Sequence, residues 1–236
     1  MASLINKCLS ACRLMDDEKL AYWLGVMQSD GCMYVRKRPD VGDKNYITLG
    51  VGPKSIEMLE KFSQYCFDLF ERSPKIFYDK INGNALFRMS AETLLEFFVS
   101  NKIEFSDPPK PPEFITSELK LFGAYLAGVI DGDGDIRIKR KKYPQCIIRI
   151  TSGSPQVDLA NSLREKLKCS VSITKYHRVS WLKERRIEGS WCSLEFCASK
   201  RNLAFIREFL IPHIAVSYKR QKLEKFIENR YALAVI

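Results

Sequence analysis

Two stretches of this chain, about a hundred residues apart, repeat one pattern: an apolar helix with small residues at every fourth position, ending in Asp-Gly. The fuller copy is Phe122-Gly123-Ala124-Tyr125-Leu126-Ala127-Gly128-Val129-Ile130-Asp131-Gly132-Asp133-Gly134, and the looser one is Ala21-Tyr22-Trp23-Leu24-Gly25-Val26-Met27-Gln28-Ser29-Asp30-Gly31. Ala124, Gly128 and Gly132 are spaced by four, as are Gly25 and Ser29. Small residues at i and i+4 share a helix face and let two backbones approach closely. One such helix alone reads as an ordinary core helix. Two of them predict a packed pair that brings Asp30 and Asp133 together at one end, around a pseudo-twofold axis.

A helix C-terminus is a poor place for an anion, because the macrodipole is negative there and the last carbonyls are unpaired. Two carboxylates at such ends repel each other and raise their own pKa values. A divalent metal removes the conflict, and carboxylate and carbonyl oxygens suit Mg²⁺, with water and substrate phosphate completing its shell. Such an ion can activate water for phosphodiester hydrolysis. Asp131-Gly132-Asp133-Gly134-Asp135 also resembles the start of an EF-hand loop, but that loop would need Gly at Ile136 and Glu at Lys142, so the reading fails.

The 236 residues allow one large domain or two small ones, and 46% hydrophobic content is that of a globular chain. Thirty-eight Lys and Arg against 28 Asp and Glu give a net charge of +10, which favours a polyanionic partner. The longest apolar run, residues 121–130, is too short to cross a bilayer, so no membrane is expected. Asp16, Asp17 and Glu18, soon after a weak apolar stretch, do not fit a secretory signal. Eight cysteines form no CxxC pair and only His177 and His213 are available beside them, so zinc spacing is absent. They read as small buried hydrophobes of an intracellular protein.

Periodicity gives the same order of elements twice. Helix 17–29, strands 32–38 and 45–51, amphipathic helix 55–70, strands 75–81 and 85–90 around Asn82-Gly83, and helix 92–100 make the first unit. The second runs through helix 117–132, strands 136–141 and 146–151, helix 155–167, strands 171–181 and 191–197, and helices 202–209 and 217–231. Between them Ser106-Asp107-Pro108-Pro109-Lys110-Pro111-Pro112 is stiff and extended. The expected architecture is α+β: two pseudo-symmetric α-β-β-α-β-β-α halves (1–105 and 115–236, joined by a linker at 106–114). Each half is a four-stranded antiparallel sheet backed by helices, and the two meet at the motif helices.

Leu126-Ala127-Gly128-Val129-Ile130-Asp131-Gly132-Asp133-Gly134 resembles the signature of the LAGLIDADG homing endonucleases in their two-motif, single-chain form. The first copy keeps Gly25, Asp30 and Gly31 and has Gln28 where that family usually carries an acid. The resemblance implies a pseudo-dimeric monomer, needing no protein partner, that holds a long, nearly asymmetric DNA duplex in a saddle of two sheets. It implies cutting of both strands across the minor groove with Mg²⁺ (Mn²⁺ or Ca²⁺ in the same sites), leaving 3′ overhangs. Carried over by position, Asp30 and Asp133 are the metal-binding acids, helped by the carbonyls of Ser29 and Gly132. The family's basic residue near the attacking water is sought at Lys219 in the second half. In the first half Lys102 or Lys110 could serve, and Lys54 is a further candidate at the end of the second strand. No flanking protein-splicing sequence is visible, so an intron-encoded, free-standing form is expected, cytoplasmic in a prokaryote or organellar in a eukaryote.

Strand alternation selects the DNA-facing side chains. Tyr34, Arg36 and Arg38 share a face with Tyr46 and Thr48, while Ile47, Leu49 and Val51 go to the core. Arg137, Lys139 and Lys141 share a face, as do Arg149 and Thr151, with isoleucines opposite. Arg88, and Arg178, Lys183, Arg185 and Arg186 near the last hairpin, extend the contact to bases or phosphates. Tyr176, Trp181 and Trp191 read as cross-strand packing. Neither histidine has an acid or metal-like pattern around it, so neither reads as a general base. Two other readings stay open on the same fold: an RNA-binding intron maturase, which would not need both acids, and a DNA-binding regulator that does not cut.

Overall fold

The computed structural model describes residues 17–37, 42–92, 94–105, 108–139, 144–182 and 185–232. Asp17 opens the first motif helix, α1 (Glu18–Ser29), by accepting the Lys19 amide at 2.7 Å. From Asp30 the chain enters β1 (Gly31–Arg36) and β2 (Lys44–Val51), then α2 (Ile56–Phe70) after a 3₁₀ turn led by Pro53. β3 (Lys75–Tyr78), β4 (Ala85–Ser90) and α3 (Leu95–Ser100) complete the first half. A short helix, α4 (Glu113–Ser117), leads into the second motif helix, α5 (Leu119–Asp133). The series then repeats as β5 (Gly134–Lys139), β6 (Gln145–Ser152), α6 (Val157–Leu167), β7 (Val171–Leu182) and β8 (Arg185–Ala198). A helical stretch begins as α7 (Leu203–Phe205), passes through a π-helical turn and a 3₁₀ turn to His213, and is followed by α8 (Ser217–Ala232).

The sheets have equivalent strand orders, β1-β2-β4-β3 and β5-β6-β8-β7, antiparallel throughout. Period-two alternation sends Ile47, Leu49, Phe87 and Met89 of one sheet, and Ile136, Ile148, Leu194 and Phe196 of the other, into the core. In the first half that core closes on Trp23, which stacks on Phe62 with centroids 5.1 Å apart and donates its indole N–H to the Cys66 sulfur at 3.0 Å. Cys66, Cys146 and Cys192 are buried as expected, whereas Cys32 and Cys197 are exposed.

The motif helices meet through their glycines. A Cβ on Gly25 would lie 2.1 Å from the Tyr125 carbonyl oxygen, and one on Gly128 2.2 Å from that of Tyr22. The contact is reciprocal, as a pseudo-twofold axis requires, and only a residue without a side chain permits it. Among the described residues no helix is long and apolar enough to cross a membrane.

The elements depart from the periodicity reading in four main places, the first being α4 (Glu113–Ser117), a helical turn after Pro112 where a linker to 114 was expected. β3 ends at Tyr78 rather than 81, because the Asp79 carboxylate captures the amides of Ile81 and Asn82 and turns the chain early. β8 starts at Arg185 rather than 191, pairing with β7 through an unbroken two-stranded arm beyond the sheet. Residues 185–190, mostly polar or glycine, give an alternation test too little to read. The segment before His213 is π-helical instead of a plain α-helix, and Pro212 forces the change to a 3₁₀ turn.

Candidate active site

Behind the two acids lies a reciprocal hydrogen-bonded frame. The Tyr22 hydroxyl donates to Asp131 Oδ2 at 2.8 Å, and the Tyr125 hydroxyl donates to Gln28 Oε1 at 2.6 Å. Each tyrosine stands three residues before its helix's contact glycine and bonds the opposite helix. Asp131, with no solvent exposure, also accepts the amides of Ala215 at 2.6 Å and Val216 at 3.2 Å. Gln28 accepts the Lys110 amide at 3.0 Å and donates to the Glu104 carbonyl at 2.7 Å. Gln28 and Asp131 therefore do one structural job, tying the segment that follows each sheet to the motif helices. That explains why the first motif tolerates an amide at the position where the second carries an acid. Burial raises the Asp131 pKa, against hydrogen bonds from Ala215, Tyr22 and Val216 that lower it.

Asp30 follows α1 directly and Asp133 is the last residue of α5. The Asp30 carboxyl carbon would lie 3.4 Å from a Cβ on Gly132, so the end of α1 touches the end of α5 one residue before Asp133. Asp30 keeps an exposed edge, yet the protein crowding its carboxylate raises its pKa, an effect that Lys219 partly offsets. Lys219, in the first turn of α8, is 3% exposed. Its ammonium donates to the carbonyls of Ile130 at 2.7 Å and Asp131 at 2.8 Å, with Gly132 O at 3.5 Å. Burial lowers the Lys219 pKa, while the charges of Asp131, Asp30, Asp135 and Asp133 raise it. The lysine thus caps the last carbonyls of α5 and neutralises part of a four-acid field. It does so from within the protein rather than from the open cleft. Lys102 is exposed in the loop after α3, in a left-handed conformation (φ 52°), and Lys110 contributes its amide to Gln28 while its ammonium lies 3.8 Å from Glu104. Lys54 is exposed in the 3₁₀ turn before α2.

Register places Tyr34, Arg36, Tyr46, Thr48 and Arg88 on the open face of the first sheet, joined by Lys44 and Lys75. Arg88 Nε is buried there with no hydrogen-bond partner among the described residues, beside a 420 Å³ cavity also lined by Arg36, Arg72 and Lys75. Arg137, Lys139, Arg149 and Thr151 share the open face of the second sheet. Two of these arginines are tied to acids on the same face, Arg137 to Asp135 at 2.5 Å and Arg149 to Glu195. Arg186 pairs with Glu188 at 2.7 Å on the arm, where Glu188 also meets His177 at 2.8 Å. Tyr176 and Trp191 stack across the arm at 6.2 Å, as expected, but Trp181 is 68% exposed. Arg38, Lys141 and Lys183 lie outside the described residues, and so do the side chains of Arg178 and Arg185, whose backbones belong to β7 and β8.

No protein-family model and no curated protein sequence matches the chain. Solved structures do. The homing endonuclease I-DmoI in complex with DNA and Ca superposes with a TM-score of 0.55 at 17% identity, covering 88% of this chain and 97% of that one. The LAGLIDADG homing endonuclease I-LtrWI bound to target DNA gives 0.53 at 15% identity, over 92% of each chain. The meganuclease I-SmaMI bound to DNA gives 0.51 at 16%, over 90% of this chain and 91% of that one. This chain has the LAGLIDADG homing-endonuclease fold.

Within that LAGLIDADG frame, some polar residues beside the acids carry no motif. The paired tyrosines have no part in the motif reading, although their shared offset of three from Gly25 and Gly128 was a signal in the sequence. Lys61 gave no such signal, being one polar residue on an amphipathic helix. Its ammonium sits 4.3 Å from the centre of the Tyr22 ring and donates to the His213 carbonyl, and burial lowers its pKa to about 8. Between pH 8 and 10.5 the unfolded chain therefore binds more protons at this site than the folded one. Stability should rise with pH across that window, by an amount of order 3 kcal/mol at most. Urea unfolding at several pH values checks this, and Lys61→Met should flatten the slope.

Proposed function

We propose that this protein is a monomeric, site-specific double-strand DNA endonuclease of the homing type. The observation that carries the reading is that two glycine-packed helices end side by side, with the Asp30 carboxyl against Gly132, the residue before Asp133, and two sheets with basic open faces beside them. Structures of the same fold, I-DmoI with DNA and Ca or Mn and I-LtrWI on its target DNA, support it. The site read is long and asymmetric, because the two open faces differ. The first offers Arg36, Lys44, Lys75 and Arg88, and the second offers Lys139 with Arg137 and Arg149, these two arginines each already held by an acid. Arginine forks suit guanine edges in the major groove, and the remaining cations suit phosphates.

Asp30 and Asp133 would hold the divalent ion, Mg²⁺ with Mn²⁺ or Ca²⁺ as substitutes, with the carbonyls of Ser29 and Gly132 as further oxygen donors. The residues fit such an ion: two carboxylates at negative helix ends, that of Asp30 crowded by the protein, form a hard, all-oxygen donor set. Among the described residues no cluster of three or more His, Cys, Asp or Glu competes for it. When bound, the ion supplies Lewis acidity at the phosphate and favours ionisation of the attacking water. The chain does the rest. The glycine contact fixes the spacing of the acids, Lys219 holds the α5 end that carries Asp133, and the sheets orient the duplex with its minor groove over the acids. Water adds across one P–O bond on each strand, leaving 3′ overhangs. The enzyme acts inside the cell and is encoded by an intron.

The test is cleavage of a randomised duplex library with Mg²⁺, followed by sequencing of the cut ends. Selective double-strand cutting with 3′ overhangs is the expected result. Specific binding without cutting, under Mg²⁺ or Mn²⁺, would replace this reading by a DNA-binding regulator.

A further inference from the structure

We propose that Glu57, in the first half of the molecule, is the positioning residue that locks Lys219 of the second half under the Asp133 end of α5. Only its effect on cutting rests on the nuclease reading. Glu57 Oε2 accepts the Ser217 amide at 2.6 Å, and its Oε1 accepts the Ser217 hydroxyl. Ser217 is the first residue of α8, so a carboxylate from α2 caps the N-terminus of a helix in the other half, where orphan amides and the positive end of the dipole favour it. Those hydrogen bonds hold the Glu57 carboxyl below its usual range. One turn further along α2, Lys61 donates to the His213 carbonyl, while Asp131 of the second half takes the amides of Ala215 and Val216. The segment 213–217 is thereby clamped by both halves, and the first turn of α8 that follows carries Lys219 onto the carbonyls of Ile130 and Asp131.

Among the described residues the pseudo-symmetric segment shows no such clamp. Its amide at Lys110 meets the neutral Gln28, and the helix that follows, α4, has no side-chain cap. The carboxylate cap thus occurs in the half that has a buried lysine to aim.

The experiment compares wild type with Glu57→Ala, Glu57→Gln and, as a control on the same helix, Glu60→Ala. Each folded protein is exposed to formaldehyde and borohydride, and methylation of Lys219 is followed by mass spectrometry. Loss of a helix cap corresponds to about a tenfold increase in opening, so Lys219 should react about tenfold faster in Glu57→Ala. Glu57→Gln, which keeps one acceptor, should fall between, and Glu60→Ala should match wild type. On a cleavable duplex, turnover of Glu57→Ala should fall about tenfold at unchanged half-saturating DNA, as expected for lost positioning rather than lost binding. Unchanged Lys219 protection in Glu57→Ala would overturn the proposal, and so would turnover losses that add independently in Glu57→Ala/Lys219→Met. If Glu57→Ala fails to fold, the same criteria apply to Glu57→Gln. A wild type that cuts no duplex refutes the nuclease reading but leaves the methylation result to decide this one.

Discussion

Asp30→Asn and Asp133→Asn should each stop double-strand cutting, lowering the rate by about a thousandfold or more, the scale on which loss of a charge-stabilising group acts in catalysis. The substitution keeps the shape of the side chain and removes its charge, so the helix ends stay packed while the oxygen donor set is halved in charge. DNA affinity without metal should not weaken, because the acids repel phosphate. The free protein supplies a second readout. Burial already disfavours the Asp30 carboxylate, and the charge of Lys219 offsets only part of that. Asp30→Asn should therefore be at least as stable to urea as wild type near neutral pH. Rates on a supercoiled plasmid separate nicking from full cutting. Persistence of wild-type double-strand cutting in either variant would remove that acid from the mechanism.

The largest expected effect on stability comes from Gly25→Ala and Gly128→Ala. Alanine gains about 1 kcal/mol in helix propensity over glycine, which on its own would stabilise both helices. Each new methyl would, however, sit 2.1 or 2.2 Å from a backbone carbonyl oxygen of the facing helix, and neither atom can rotate away. Relief requires the helices to part, which strains the Tyr22–Asp131 and Tyr125–Gln28 hydrogen bonds together. The net loss should exceed about 3 kcal/mol, at the upper end of overpacking effects, and each variant should melt well below wild type or fail to fold. Gly50→Ala is the control, since its nearest neighbour would be a Leu86 methyl at 3.9 Å. A Gly128→Ala protein with wild-type Tm would mean that the helices are not in this contact.

Much of the fold was legible because its signals are local. Strand alternation sorted Ile47 and Leu49 from Tyr46 and Thr48, and the same rule sorted Ile148 and Ile150 from Arg149 and Thr151. The start of β8 and the early end of β3 were not legible, since residues 185–190 are mostly polar or glycine and the end of β3 is set by a single side-chain oxygen at Asp79. Lys219 was found as a basic residue near the start of the last helix, but its partners, the carbonyls of Ile130 and Asp131, have no signature in any side-chain pattern.

By itself the sequence determined the two motif helices, the small faces by which they pack and the acid at the end of each. Spacing and residue size are properties of one helix read alone. Only the tertiary structure decided what stands around those acids. Glu57 and Ser217 are 160 residues apart in the chain, and Tyr22 and Asp131 are 109 apart. Nothing in the local pattern of either partner names the other. They meet because two sheets, each tied to its own motif helix, are docked by a glycine contact that leaves the segments behind it one way to pack.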